Sequence, residues 1–188
     1  MITKPRFTNE DADRAHEEWG CNCGPGAIAA ICHMTLDELR PHLGDFERKR
    51  YTNPTLMWEI LDRLKVRWTL KKPPVWPGYG LARIQWHGPW MREGVPMAAR
   101  YRHTHWVGAA RNSLGEIGLF DINAIGNGSG WTSLENWRSI LVPWLLKECV
   151  PRADGVWSLT HAVEVELEGR AAEPLKGNTT PFGGRLPS

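Results

Sequence analysis

The stretch that most constrains this chain runs from residue 20 to residue 31 and reads Gly-Cys-Asn-Cys-Gly-Pro-Gly-Ala-Ile-Ala-Ala-Ile. Small and apolar residues at helical spacing follow a glycine-rich turn, and Pro25 is tolerated because first-turn amides have no intrahelical partners. We therefore predict a buried helix over about 24–33, with Cys23 at its start. A thiol attacks a carbonyl carbon as its thiolate, which a helix N-terminus stabilises. Cys23 is accordingly the candidate nucleophile.

Length and composition indicate one ordinary domain. The chain has 188 residues, and its net charge of +2 with 23% charged residues gives no sign of a dedicated nucleic-acid or membrane surface. The polar N-terminus and the lack of an apolar run of about 18 residues favour a cytoplasmic protein that keeps its four cysteines as free thiols. We expect a single domain over 1–168 and a disordered tail over 169–188, which is rich in Gly, Pro and Thr.

Helix signals come first along the chain and strand signals later. A polar helix is predicted within 7–20, Thr35 with Glu38 forms a capping box, and Asn53-Pro54 starts a further helix. Strands are predicted over 66–70, 84–86, 95–110, 117–123 and 157–167, the last with all its apolar residues on one face and the other face in water. A late helix is predicted to start at Thr132 and to be interrupted by Pro143. The order predicts an α+β fold in which an N-terminal helical half carrying the nucleophile helix packs on an antiparallel sheet.

A nucleophilic thiol needs a base, and the predicted hairpin offers one. His103 and His105 are two residues apart, so their side chains lie on the same face of the strand before the turn at 112–115. Asp121 and Asn123 lie on the strand after that turn. A hairpin places the two strands side by side, so His105 and Asp121 are expected opposite one another. A carboxylate in that position orients the imidazole and stabilises its protonated form.

Alternatives exist for each of these roles. His103 is the rival base, but the Trp106-Val107 pair that follows favours His105; Asn123 is the rival to Asp121. Cys21 lies outside the predicted helix and is interpreted as a passive or redox-sensitive thiol. Trp106 is expected to wall the cleft beside the base.

The sequence also contains residue sets that are typical of a metal site and of a nucleic-acid surface. Cys21, Cys23, Cys32 and His33 resemble a zinc ligand set, but a helix separates Cys23 from Cys32 by about 12 Å, too far to share one ion. No metal or other cofactor is therefore expected. Arginines and lysines over 48–102, interleaved with Trp68 and Trp76, leave a nucleic-acid surface as the lesser alternative to a solvated face. His161 is interpreted as a core histidine.

Three short blocks carry a family resemblance. Cys23-Gly24-Pro25-Gly26, His105-Trp106-Val107 and Phe120-Asp121 resemble, in order and spacing, the Cys, His and Asp blocks of papain-like cysteine peptidases. The chain is most similar to the bacteriocin-leader (double-glycine) peptidases, over roughly residues 17–125. The resemblance implies a papain-like fold, a peptide or protein substrate, Cys23 as nucleophile, His105 as general base and acid, and Asp121 as orienter.

The chain departs from the family at the oxyanion donor. The family places a glutamine about six residues before its cysteine, whereas this chain has Glu17, and an ionised carboxylate cannot donate a hydrogen bond. We expect the Cys23 amide, with Asn22 or Gln85, to hold the oxyanion instead. The resemblance implies a cysteine peptidase or amidase; the alternatives are a thiol-dependent acyl transferase and an inactive papain-like module that binds protein or nucleic acid.

Overall fold

A computed structural model describes residues 4–167, and the predicted tail lies outside the described residues. Helices are interleaved with a six-stranded antiparallel sheet of order β1-β6-β2-β3-β4-β5, which confirms the α+β class. The strands are β1 (Arg67–Leu70), β2 (Tyr79–Trp86), β3 (Thr104–Arg111), β4 (Ile117–Phe120), β5 (Trp131–Ser133) and β6 (Trp157–Glu166). Within residues 4–167, every helix is too short or too polar to traverse a bilayer.

Five N-terminal helices cover one face of the sheet. They are α1 (Asn9–Trp19), α2 (Cys23–Ile31), α3 (Leu36–Leu39), α4 (Phe46–Lys49) and α5 (Pro54–Arg63). The predicted caps are present: the Thr35 hydroxyl accepts from the Glu38 amide, and the Asn53 side chain accepts from the Leu56 amide. Every residue of α2 after Cys23 is buried, so α2 is a core helix with its first residue at the edge of the core.

The hairpin of β3 and β4 forms as predicted, but its strands are shorter. A short helix, α6 (Met97–Arg100), occupies the first part of the segment predicted as strand, and β3 begins only at Thr104. At the other end, the Asp121 side chain accepts from the Asn123 amide and caps a 3₁₀ helix over Ile122–Asn127, so β4 ends at Phe120. The shortened β3 therefore begins one residue before His105, and the shortened β4 ends one residue before Asp121.

The prediction of one apolar and one wet face for the last strand is wrong. Arg83 of β2 pairs with His161 of β6, whereas the next residue, Ile84, pairs with Leu159, so Thr160 is an extra residue. A bulge of this kind reverses the side-chain alternation. Trp157 and Leu159 therefore pack in the core behind the sheet, whereas Val163 and Val165 pack under the N-terminal helices.

The late helix also differs from its prediction. Its cap is Ser133, one residue after Thr132, and a helical run follows through α7 (Leu134–Asn136), a π-helical turn (Trp137–Leu141) and α8 (Val142–Glu148). Pro143 does not interrupt this run. A proline lacks the amide that a regular helix needs, and the widened turn accommodates that loss at the start of α8.

Gly26 of α2 is required by close packing against the segment that follows β4. A β-carbon at residue 26 would lie 2.4 Å from Cδ1 of Ile122. Alanine is favoured over glycine inside a helix by about 1 kcal/mol, whereas overpacking costs about 1–3 kcal/mol. We expect Gly26→Ala to lower the free energy of unfolding measured in urea, and Ile122→Val to recover most of the loss. An equal effect of Gly26→Ala in both backgrounds would contradict this contact.

Candidate active site

A buried histidine–aspartate pair lies where β3 and β4 come together. His105 Nε2 is 2.8 Å from Asp121 Oδ2, and the two residues are 6% and 0% exposed. Trp137 Nε1 also donates to Oδ2 at 2.8 Å, while the amide and the side-chain nitrogen of Asn123 donate to Oδ1. The ring of Trp86 stacks on His105. Both residues of the pair are thus held in one orientation.

The surroundings of His105 and Asp121 favour the charged form of both side chains. Burial alone would lower the pKa of His105, but the charge and hydrogen bond of Asp121 outweigh burial and raise it. Burial alone would likewise raise the pKa of Asp121, and the His105 charge with the donors from His105, Trp137 and Asn123 lowers it. An imidazole with a raised pKa beside a fixed carboxylate is suited to accept and return a proton.

Cys23 lies at the N-terminus of α2, beside the residue that follows the histidine. The backbone N–H of Trp106 faces the Cys23 sulfur and favours its charged form. The Sγ atoms of Cys21 and Cys23 are 3.9 Å apart. Within residues 4–167, the only side-chain hydrogen bond of His105 joins Nε2 to Asp121, so Nδ1 has no protein partner there. The Cys23 thiol forms its hydrogen bond with Cys21 and not with His105.

The two thiols are coupled through a hydrogen bond between their sulfur atoms. The hydrogen bond from Cys23 lowers the pKa of Cys21 to about 7. The same bond raises the pKa of Cys23, and burial raises it further. Groups this strongly coupled titrate as a pair. The Cys21–Cys23 pair therefore loses its first proton more readily than Cys32, because burial raises the pKa of Cys32 to about 12.

A cavity of about 830 Å³ opens over the two thiols. Trp106, Arg83 and His161 occupy one cross-strand row of β3, β2 and β6 and line the cavity with Cys21 and Cys23. Trp106 thus lines this cavity, whereas His105 does not, and the Trp106 Nε1 donates to the Thr52 carbonyl. His161 is not a core histidine: it is half-buried and lines this cavity.

The other candidate residues have different places. Asn22 donates its side-chain amide to the Ala12 carbonyl, and Gln85 donates to the carbonyls of Trp86, Arg100 and His103. Neither lines the cavity. Gln85 instead anchors the segment that leads into β3. Glu17 is exposed on α1, away from the cavity.

The positions of Asn123 and His103, the alternatives to Asp121 and His105, show what each of them contacts. Asn123 contacts Asp121 rather than His105, so it orients the carboxylate. His103 stacks on Trp90, with ring centroids 3.8 Å apart, and burial lowers its pKa. In residues 4–167, no three His, Cys, Asp or Glu side chains are grouped to hold a metal ion.

Sequence reasoning missed two residues of the site. Trp137 lies within the predicted late helix, and no local sequence signal indicates that its indole nitrogen reaches Asp121. Arg83 was missed because β2 was predicted to begin at Ile84, whereas it begins at Tyr79. The alternation of residues 79–86 would have placed Arg83 and Leu81 on the same face.

Comparison of the chain with protein-family models, with curated proteins and with solved structures finds no match.

Proposed function

We propose that this protein is a papain-like thiol hydrolase that cleaves a peptide or amide bond through Cys23, His105 and Asp121. The observation that carries the proposal is the buried His105–Asp121 pair. The Nδ1 atom of His105 has no partner among the described residues, and the next residue, Trp106, contacts the Cys23 sulfur through its backbone N–H. Acyl transfer to an acceptor other than water would share the attack of Cys23 and the formation of a thioester, and would differ only in the group that attacks the thioester.

The reaction divides into two halves. His105 takes the proton of the Cys23 thiol on Nδ1, and the resulting thiolate attacks the substrate carbonyl carbon while the N-terminal amides of α2 stabilise the oxyanion. His105, protonated on Nδ1, gives that proton to the leaving amine as the C–N bond breaks and a thioester remains. Water then attacks the thioester while His105 takes its proton, and Cys23 leaves as thiolate. The contact of Cys23 with His105 closes in the substrate complex, as catalytic hydrogen bonds often do.

The test is alkylation by iodoacetamide at pH 7, with the adduct mapped by mass spectrometry. We expect Cys23 to be modified faster than Cys32 and Cys149, because the Cys21–Cys23 pair loses a proton more readily than these two thiols, whose pKa values are raised by burial. His105→Ala is expected to slow the reaction of Cys23, and Cys149→Ala is the matched control. Labelling confined to Cys21, or a Cys23 rate equal to that of Cys32, would reject Cys23 as nucleophile.

A second candidate is a binding module that keeps the fold without the reaction. It is favoured by the hydrogen bond of Cys23 to Cys21 rather than to His105, and by the absence from the cavity lining of both expected side-chain oxyanion donors, Asn22 and Gln85. A Cys23→Ala protein that kept its full biological effect would support this function over catalysis.

A further inference from the structure

The cavity over Cys23 has an unbalanced charge. Three arginines line it, namely Arg50, Arg83 and Arg102, and its lining contains no aspartate or glutamate. Arg50 and Arg102 are exposed at its rim, whereas Arg83 lies on the central strand β2 and is only 5% exposed. A substrate that enters this cavity therefore meets positive charge at the rim and again at the base.

Arg83 is a buried cation that pairs with no carboxylate among the described residues. Its guanidinium donates only at long range, to Thr160 Oγ1 at 3.4 Å and to the Tyr101 carbonyl at 3.3 Å, and its Nε has no partner. No carboxylate of residues 4–167 forms an ion pair with it. Burial lowers the pKa of Arg83, yet a guanidinium stays charged at any physiological pH. Such a group destabilises the free protein unless an anion joins it.

Arg83 lies close to the sulfur that is proposed to react. It is the cross-strand partner of Trp106, whose backbone N–H faces Cys23, and a charge on Cys23 raises the pKa of Arg83. On its other side Arg83 pairs with His161, whose pKa is lowered by burial and by the Arg83 charge. His161 therefore stays neutral near pH 7 and leaves Arg83 as the cation of this row.

We infer that Arg83 binds a carboxylate of the substrate, so that the cleft takes acyl substrates with a carboxylate beside the bond that Cys23 attacks. The planar guanidinium presents two parallel donors that match a carboxylate. The carboxylate belongs either to an acidic side chain or to a free chain terminus. The role of Cys23 in this inference rests on the proposed function, whereas the anion site itself does not.

The first experiment compares iodoacetate with iodoacetamide, which differ in charge and little in size. Each reacts when the Cys23 thiolate displaces iodide and forms a carbon–sulfur bond. We expect Arg83→Met to slow iodoacetate at Cys23 by about tenfold and to leave iodoacetamide within about twofold. Arg83→Lys should keep part of the preference. Arg102→Met, which removes an exposed guanidinium from the same cavity, should change the ratio little. An unchanged ratio in Arg83→Met would overturn the inference.

The second experiment separates the two sources of carboxylate. Peptides are titrated against the Cys23→Ala protein and binding is followed by tryptophan fluorescence. Stronger binding of an amidated peptide with Asp than of the same peptide with Asn assigns the site to a side chain. Stronger binding of a free terminus than of its amide assigns it to a chain end. Equal binding within both pairs, or preferences that persist in Cys23→Ala/Arg83→Met, would overturn the inference.

Failure of the two proposals gives different results. If Cys23 is not alkylated by either reagent but the Cys23→Ala protein still prefers carboxylate peptides through Arg83, the nucleophile is rejected and the anion site stands. If Cys23 is alkylated but neither experiment responds to Arg83, the anion site is rejected. Urea unfolding of Arg83→Met shows that the variant is folded, and its stability should equal or exceed that of the parent, because a buried unpaired charge is removed.

Discussion

Replacing Asp121 by alanine is expected to lower the free energy of unfolding by about 3–5 kcal/mol, the range found when one partner of a buried ion pair is removed. Asp121 is completely buried and accepts hydrogen bonds from His105, Trp137 and Asn123. Alanine leaves these donors without an acceptor in a site that water does not reach. Urea unfolding followed by tryptophan fluorescence measures the change.

The control for this substitution is Asp45→Ala. Asp45 also pairs with a cation, Arg48, but its side chain is 54% exposed. Exposed pairs of this kind contribute little to stability, so we expect almost no change. A loss for Asp121→Ala no larger than that for Asp45→Ala would contradict the role assigned to the buried pair.

The stability difference between the parent and Asp121→Ala should also depend on pH. The pKa of His105 is raised above its ordinary 6.5, so its contribution is complete below 6.5 and is lost as the pH rises through the folded-state pKa. The pKa of Asp121 is lowered below its ordinary 3.8, so its contribution is complete above 3.8 and is lost as the pH falls through the folded-state value. The difference is expected to be largest between pH 3.8 and 6.5. NMR titration of His105 should show a pKa below 6.5 in Asp121→Asn, because burial, the largest influence, is then opposed only by the smaller effect of a charge on Cys21.

Local signals predicted the parts of the fold that depend on neighbouring residues. The cap at Asn53 and the start of α2 depend on a few adjacent side chains, and both are found where the sequence places them. The meeting of His105 and Asp121 was predictable for the same reason, because one short turn joins their strands.

The rest of the site depends on contacts between distant segments. The bulge at Thr160 exists only because β6 pairs with β2 about eighty residues earlier in the chain, and this pairing sets which side chains of β6 face the cavity. The donation from Trp137 to Asp121 needs the helix after β5 to fold back behind the sheet. The hydrogen bond between the thiols of Cys21 and Cys23 depends on the side-chain geometry of a turn, and residue types alone do not specify that geometry.

Replacing Gly80 by alanine is the second large expected effect, and it acts on β2, the strand that carries Arg83. Gly80 has φ 157°, and a β-carbon there would lie 1.9 Å from the Val163 carbonyl oxygen of β6. The obstacle is the backbone of the neighbouring strand β6, so no side chain can move to relieve it. Backbone strain and overpacking each cost about 1–3 kcal/mol, which together predict a loss of about 2–6 kcal/mol.

Gly115→Ala separates the two contributions. Gly115 also has a positive φ, 83°, but nothing lies within 4 Å of its missing β-carbon. We expect Gly115→Ala to show the strain without the clash and therefore a clearly smaller loss in urea unfolding. Because a shifted β2 also moves Arg83 relative to Trp106, the folded fraction of Gly80→Ala should lose part of the iodoacetate preference at Cys23, whereas Gly115→Ala should keep it. Equal losses of stability in the two variants would show that the close approach of β2 and β6 does not require glycine.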